Sequence, residues 1–164
     1  MEQLEQAKQV ALKFVSVRMR TEQDVEQMLQ KKGYDRKTVQ TVVAFLKRYQ
    51  YLDDAAYCRS WIHDKVQFHP CGRKKMAFEL SKKIADHQLI CDSLTEYFPE
   101  EAELEQAITV AQKKIDSSGS SLRRDQLSRF LYSRGYGGSV IDAVLQKCEI
   151  EEQLDRRQCD NNFS

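Results

Sequence analysis

The chain has 164 residues, with 26 Lys and Arg against 25 Asp and Glu, a formal net charge of +1, and only six Gly and two Pro. Richness in Lys, Arg, Glu, Gln and Leu favours helices over sheets, and the length suffices for one moderate core. Near-neutrality excludes a uniformly basic protein, so any binding to a polyanion must come from local clustering of charge.

From Leu4 the apolar residues Ala7, Val10, Ala11, Phe14 and Val15 fall at helical spacing and define a first helix with one buried face. A second helix opens at Thr21, where Asp24 three residues on completes a capping box, and Val25, Met28 and Leu29 form its stripe. Gly33 stands where a helix end needs positive φ, and Asp35 caps a third helix that buries Val39, Val42, Val43 and Leu46. Asp53 and Asp54 suit the next helix start, which carries Cys58, Trp61, Ile62 and Val66. A break from Pro70 to Gly72 precedes a stripe of Met76, Leu80 and Ile84, and Asp86 then opens a helix expected to bury Leu89, Ile90, Leu94 and Tyr97. Pro99 with Glu100, Glu101 and Glu103 marks another start, followed by Leu104, Ala107, Ile108, Ala111 and Ile115. The run from Ser117 to Ser121 reads as a loop. A helix with Leu127, Phe130 and Leu131 ends at Gly135, and Ser139 with Asp142 predicts a capping box for a last helix with Ile141, Val144 and Leu145. The tail from Glu149 to Ser164 is polar and is expected to be disordered.

One offset relates these segments. Leu29, Leu80 and Leu131 are 51 apart, and so are Val25, Met76 and Leu127, then Val39, Ile90 and Ile141, then Val43, Leu94 and Leu145. The same shift carries Gly33-Tyr34 onto Gly135-Tyr136, while the middle copy reads Ile84-Ala85. A period of this length predicts stacked supersecondary units, each too small to close a core alone. The expected fold is all-α: three tandem three-helix repeats over 1–50, 51–98 and 99–148 forming an elongated, curved helical array, then a polar tail over 149–164.

Between Arg59 and Lys83 seven cations (Arg59, Lys65, Arg73, Lys74, Lys75, Lys82, Lys83) face only Asp64 and Glu79, a local excess of five. Lys74 and Lys75 occupy a first helical turn, where the macrodipole disfavours cations, so polyanion binding explains them more economically than helix stability. An ordinary solvated face is the bland alternative. Trp61, Phe68 and Phe78 are candidate base-stacking residues, although Trp61 falls on an apolar stripe and core packing is the simpler reading for it. Asp53 and Asp54 as a metal or acid–base pair give way to helix capping, or contact with a basic partner surface. Cys58, His63, His69 and Cys71 have zinc-ligand chemistry but match no zinc-module spacing. No nucleophile–base pair or phosphate-cradling glycine loop is visible, so neither enzyme activity nor a cofactor or metal is expected.

Five cysteines (Cys58, Cys71, Cys91, Cys148, Cys159) form an odd set without a C-x-x-C pair, unlike a secreted disulfide framework. No long apolar stretch or signal-peptide core is present, and a cytoplasmic protein with no membrane association is expected.

Tyr51-Leu52-Asp53-Asp54 resembles the G-[FY]-L-D-D turn of the RecX regulatory proteins, modulators of the RecA recombinase. Gly72-Arg73-Lys74-Lys75-Met76 leading to Glu79-Leu80 is similar to that family's basic G-x-[RK]-[RK]-I-x-x-E-L helix, and Arg134-Gly135-Tyr136, followed by Ile141 and Leu145, to its closing R-G-[FY] segment. The resemblance covers roughly Leu4 to Cys148. Gln50 and Ile84 stand where the family has Gly, so the turn at each place is expected to use a non-Gly residue. The resemblance implies a three-repeat, all-helical protein, without catalysis of its own, similar to those that lie in the helical groove of a RecA filament on single-stranded DNA and restrain filament growth, ATP hydrolysis, strand exchange and the SOS co-protease activity; a monomer is expected. The residues alone leave open a nucleic-acid-binding helical protein that acts without RecA.

Overall fold

The computed structural model describes residues 2–118 and 122–148, and every described secondary-structure element is a helix. In chain order these are α1 (Glu2–Val17), α2 (Glu22–Lys31), α3 (Arg36–Arg48), α4 (Asp54–Phe68), α5 (Arg73–Ser81), α6 (His87–Tyr97), α7 (Glu100–Ser118), α8 (Arg124–Ser133) and α9 (138–148). The helix starts repeat the offset seen in the apolar residues. α2, α5 and α8 begin at 22, 73 and 124, and α3, α6 and α9 at 36, 87 and 138, each 51 apart. All twelve apolar residues related by that offset are buried.

Contacts divide the chain into two compact units, Met1–His63 with Phe78–Ser93 and Asp64–Ala77 with Leu94–Ser164. In the first, Ala7 and Ala11 of α1 pack with Val25 and Leu29 of α2 and Val39, Val42 and Leu46 of α3. Small alanines on α1 let its neighbours approach closely, and a fully buried leucine such as Leu29 contributes roughly 1.5–3 kcal/mol. The second has the matching set, Ala107 and Ala111 of α7 with Leu127 and Leu131 of α8 and Ile141 and Val144 of α9.

Local signals explain most helix ends. The Thr21–Asp24 capping box forms, with the Asp24 N–H donating to Thr21 Oγ1 at 3.2 Å and the Thr21 N–H to Asp24 Oδ2 at 3.3 Å. Asp35, Asp53 and Asp86 cap α3, α4 and α6 by accepting from Thr38, Ala56 and Leu89. α2, α3 and α8 end in the same turn: the N–H two past the cap returns five residues, from Tyr34 to Leu29, Tyr51 to Leu46 and Tyr136 to Leu131. That turn places its central residue in the left-handed region, with φ of 87° at Gly33, 59° at Gln50 and 84° at Gly135. Gln50 is therefore the non-Gly residue that bears the turn. Ile84 is not in the left-handed region; it is buried and donates its N–H to the Leu80 carbonyl.

Several expectations are corrected. Tyr97 is 38% exposed, and its neighbour Phe98, at 1%, is the buried aromatic at the end of α6. α9 is helical from residue 138, with the Gly137 carbonyl accepting from Ile141, so Ser139 lies inside the first turn and is not its cap. α7 continues through Ser118, into the stretch read as a loop. The expected tail, 149–164, lies outside the described residues.

Candidate functional site

The α4–α5 turn owes its geometry to two glycines. The Gly72 N–H donates to the Arg134 carbonyl at 2.9 Å, and a Cβ on Gly72 would lie 2.1 Å from the Gly135 carbonyl oxygen. A Cβ on Gly135 would lie 2.3 Å from Lys75 Cβ. Only glycine at both positions lets the start of α5 reach the end of α8. The consequence is chemical: the Lys75 side chain is brought beside Arg134, a residue 59 positions away in sequence by subtraction of the two numbers.

There a surface recess of ≈ 500 Å³ is lined by Lys65 and Phe68 of α4, His69, Pro70 and Cys71 of the turn, Lys75 of α5, and Ser133 and Arg134 at the end of α8. Among the described residues no carboxylate lines it. Arg134 is held in place, with Nη1 donating to the Pro70 carbonyl at 3.4 Å and its guanidinium over the Phe130 ring at 4.8 Å. Phe68 is 68% exposed.

Of the seven cations singled out by sequence, Lys65, Arg73, Lys74 and Lys75 belong to the second unit, and Arg59, Lys82 and Lys83 to the first. Lys65 and Lys75 line the recess. Arg73 is half-buried, lies 3.9 Å from a Glu100 oxygen and donates to Thr95 Oγ1 at 3.3 Å. Lys74 is exposed, as is Arg59. Lys83 pairs with Asp24 at 2.7 Å, and Lys82 sits 4.3 Å over the Phe78 ring. At Asp24, burial pushes the carboxyl up, but the Lys83 ammonium and the Thr21 N–H outweigh it and hold the pKa below its ordinary value. Trp61 is half-buried.

A buried acid accounts for the cationic first turn of α5. The Glu103 carboxylate, 5% exposed, accepts the Arg73 N–H at 2.8 Å and so satisfies the start of α5 from α7. Burial raises its pKa, opposed by the Arg73 N–H and by the charges of Arg73 and Lys74. The first unit repeats the device. Asp54 accepts the Glu22 N–H at the start of α2 at 3.0 Å, while Glu22 pairs with Lys47 at 2.7 Å. Burial again raises the Asp54 pKa, with the Glu22 N–H and Lys47 opposing. Glu22 and Arg73 are 51 apart, so the same helix position is capped in both units. Asp53 and Asp54 thus point to different jobs, one capping its own helix and the other a neighbour.

Sequence reasoning missed Arg134 as a member of the basic cluster and Glu103 as a cap. The Arg-Gly-Tyr triplet was the visible trace of the first; the second left no local signal. Among the described residues no group of three or more His, Cys, Asp or Glu side chains is gathered to hold a metal, and no helix is long and apolar enough to cross a membrane. None of the four described cysteines is joined in a disulfide.

Three-helix units repeated along the chain define a helical-repeat protein. Residues 7–46 match the first three-helix domain of RecX, and residues 100–145 match the third. Regulatory protein RecX of Clostridium botulinum strain Alaska E43 is 31% identical over 145 residues, covering 85% of this chain and 67% of its own length. That of strain Eklund 17B is 32% identical over 149 residues with the same coverage. Regulatory protein RecX of Oceanobacillus iheyensis is 28% identical over 156 residues, covering 93% of this chain and 57% of its own. The crystal structure of RecX from Lactobacillus salivarius shares the fold, with a TM-score of 0.83 at 20% identity over 91% of this chain and 98% of that one. The chain belongs to the RecX family and spans about two thirds or less of the length of these curated relatives.

Proposed function

We propose that this chain is a negative regulator of the RecA recombinase, binding the RecA filament on single-stranded DNA and restraining filament growth, ATP hydrolysis, strand exchange and SOS co-protease activity. Membership of the RecX family, whose relatives carry the name regulatory protein, is the observation that carries the reading. The chain acts as a cytoplasmic monomer, without a cofactor and without a catalytic step of its own. Its three repeats are 1–50, 51–98 and 99–148, and the middle one supplies the cations that approach the filament. Lys74 and Lys75 are the leading contacts, since both side chains are exposed. Arg73 and Lys83 have internal partners and contribute mainly by fixing the surface.

The test is RecA ATP hydrolysis on single-stranded DNA, titrated with this protein below one copy per RecA and repeated at two salt concentrations. Inhibition is expected, and Lys74→Glu with Lys75→Glu should abolish it at unchanged helicity. Full inhibition by that double variant would remove these lysines from the mechanism.

A second reading, a nucleic-acid-binding helical protein that acts without RecA, is favoured by the recess beside Phe68, lined by Lys65, Lys75 and Arg134 and by no carboxylate among the described residues. It is distinguished by salt-sensitive DNA binding with no effect on RecA. For about four phosphate contacts, the log–log slope on single strands would be about −3.

A further inference from the structure

A second recess, of ≈ 730 Å³, lies wholly within the first unit. Residues 50–56 line it as one continuous stretch, joined by Val15 of α1, Met19 of the following loop and Leu89 of α6. That stretch is fixed before anything binds. After the left-handed turn at Gln50, Tyr51 donates its N–H to the Leu46 carbonyl at 2.8 Å, Leu52 is buried, and Asp53 Oδ1 accepts the Ala56 N–H at 2.9 Å. A wall held in this way loses little freedom when it is covered. Met19 and Tyr51 nonetheless stand in solvent, 50% and 55% exposed.

Three carboxylates, Glu22, Asp53 and Asp54, line the recess against two cations, Arg20 and Lys47. Lys47 is taken by Glu22 at 2.7 Å, and the Arg20 guanidinium lies 4.0 Å over the ring of Phe14, which is not part of the lining. Asp54, pushed up by burial, is pushed further by the charges of Glu22 and Asp53, so the carboxylates crowd one another. An incoming cation relieves that crowding, whereas a phosphate strand adds to it. A small ligand would be covered on one side only, since two of the apolar side chains it would rest on stand in solvent, and small-molecule sites bury about 70–90% of their occupant. A protein segment brings its own cover, and exposed Tyr and Met beside a preformed recess are the anchors that protein interfaces use.

We propose that this recess docks a segment of a protein partner in which an apolar side chain, seated against Met19, Tyr51 and Leu89, lies next to a Lys or Arg that meets Asp53. The proposal rests on the regulatory reading for its partner, the RecA filament, and adds to the lysines of α5 a contact of opposite charge that is made to protein.

The experiment places p-benzoylphenylalanine at Tyr51 of the full chain, adds RecA filament assembled on single-stranded DNA, irradiates, and asks which polymer carries the adduct. A covalent adduct with RecA is expected; an adduct with the strand alone, or none, would overturn the proposal. Affinity for the same filament and for bare single strands is then measured with three variants. Tyr51→Ala should weaken filament binding about fivefold or more, the loss of one interface anchor, with bare-strand binding and ellipticity unchanged. Asp53→Asn keeps the oxygen that accepts the Ala56 N–H and should weaken filament binding about threefold, the loss of one charge pair at an exposed rim. Tyr49→Ala is the control: Tyr49 is equally exposed, at 57%, but packs on Phe45 and does not line the recess, so its loss should change neither affinity. Undiminished filament binding by Tyr51→Ala or Asp53→Asn, or an equal loss in Tyr49→Ala or on bare strands, overturns the proposal while the native chain still binds the filament and the regulatory reading stands. A native chain that binds no filament removes that reading and this site with it.

Discussion

Asp54 shows how one residue can carry both a contact and a cost. Its carboxylate satisfies the Glu22 N–H, yet burial holds its pKa above the ordinary 3.8. A folded pKa above the unfolded one means that the acid form is favoured by folding. The resulting stability is present below the ordinary value and is lost as pH rises through the folded value. Asn at this position keeps an acceptor oxygen and removes the desolvated charge. Asp54→Asn is therefore expected to be more stable than the native chain near neutrality, with the gain disappearing as pH falls to about 3.8. Asp54→Ala, which leaves the Glu22 N–H without its acceptor, should cost about 0.5–2 kcal/mol. Urea denaturation at neutral and acid pH reads both, and a pH-independent difference for Asp54→Asn would contradict the desolvation argument. The neighbouring turn gives a second residue-scale case. Gln50 has φ of 59°, a conformation that costs an L-residue roughly 1–2 kcal/mol, partly offset by the greater freedom that glycine loses on folding. Gln50→Gly should stabilise the chain by about 0.5–1 kcal/mol, seen as a raised melting temperature.

At the scale of elements, the same helix-ending turn has different consequences in different places. Gly33 and Gly135 are both in the left-handed region and both precede a tyrosine. Nothing lies within 4 Å of a Cβ built on Gly33, whereas one built on Gly135 meets Lys75 Cβ at 2.3 Å and Lys75 N at 2.8 Å. Gly33→Ala should cost only the conformational strain, about 1 kcal/mol. Gly135→Ala adds overpacking of about 1–3 kcal/mol and displaces the start of α5, so it should also weaken polyanion binding. Equal melting temperatures for the two variants would show that α5 and the α8 turn are not in close contact. The pair also marks what could be read from sequence. The glycine and the tyrosine announced the turn, because positive φ is a local demand, and the apolar stripes announced the helices, because burial repeats with the helical period. Nothing local announced Glu103 as the cap of α5 or Asp54 as the cap of α2, since each partner is about thirty residues away and an acid in a first turn suffices to cap its own helix. For the same reason Arg134 was legible as part of a turn and not as a wall of the recess. Tyr97 and Phe98 were exchanged because α6 ends between them, where the helical period no longer decides which side chain turns inward.

At the scale of the whole molecule, the 51-residue repeat and the two contact units divide the chain differently. Repeats would break between α3 and α4 and between α6 and α7, whereas the unit boundaries fall inside α4, α5 and α6, at 63/64, 77/78 and 93/94. Three continuous helices therefore pass from one unit into the other. A helix cannot lose half its length without exposing backbone groups at the new end, so loss of one unit removes support from segments that belong to its counterpart. Unfolding is expected to be a single transition. Trp61, the only tryptophan, belongs to the first unit and reports on it by fluorescence, while ellipticity reports on both. Leu131, fully buried in the second unit, is the place to perturb: Leu131→Ala should cost about 2–5 kcal/mol. If the units are coupled, the Trp61 transition moves down in denaturant together with the ellipticity, and the two curves still coincide. A Trp61 transition that stays at its native midpoint while part of the ellipticity melts early would mean that the second unit unfolds alone, and that the shared helices can end at the unit boundary without loss to the first.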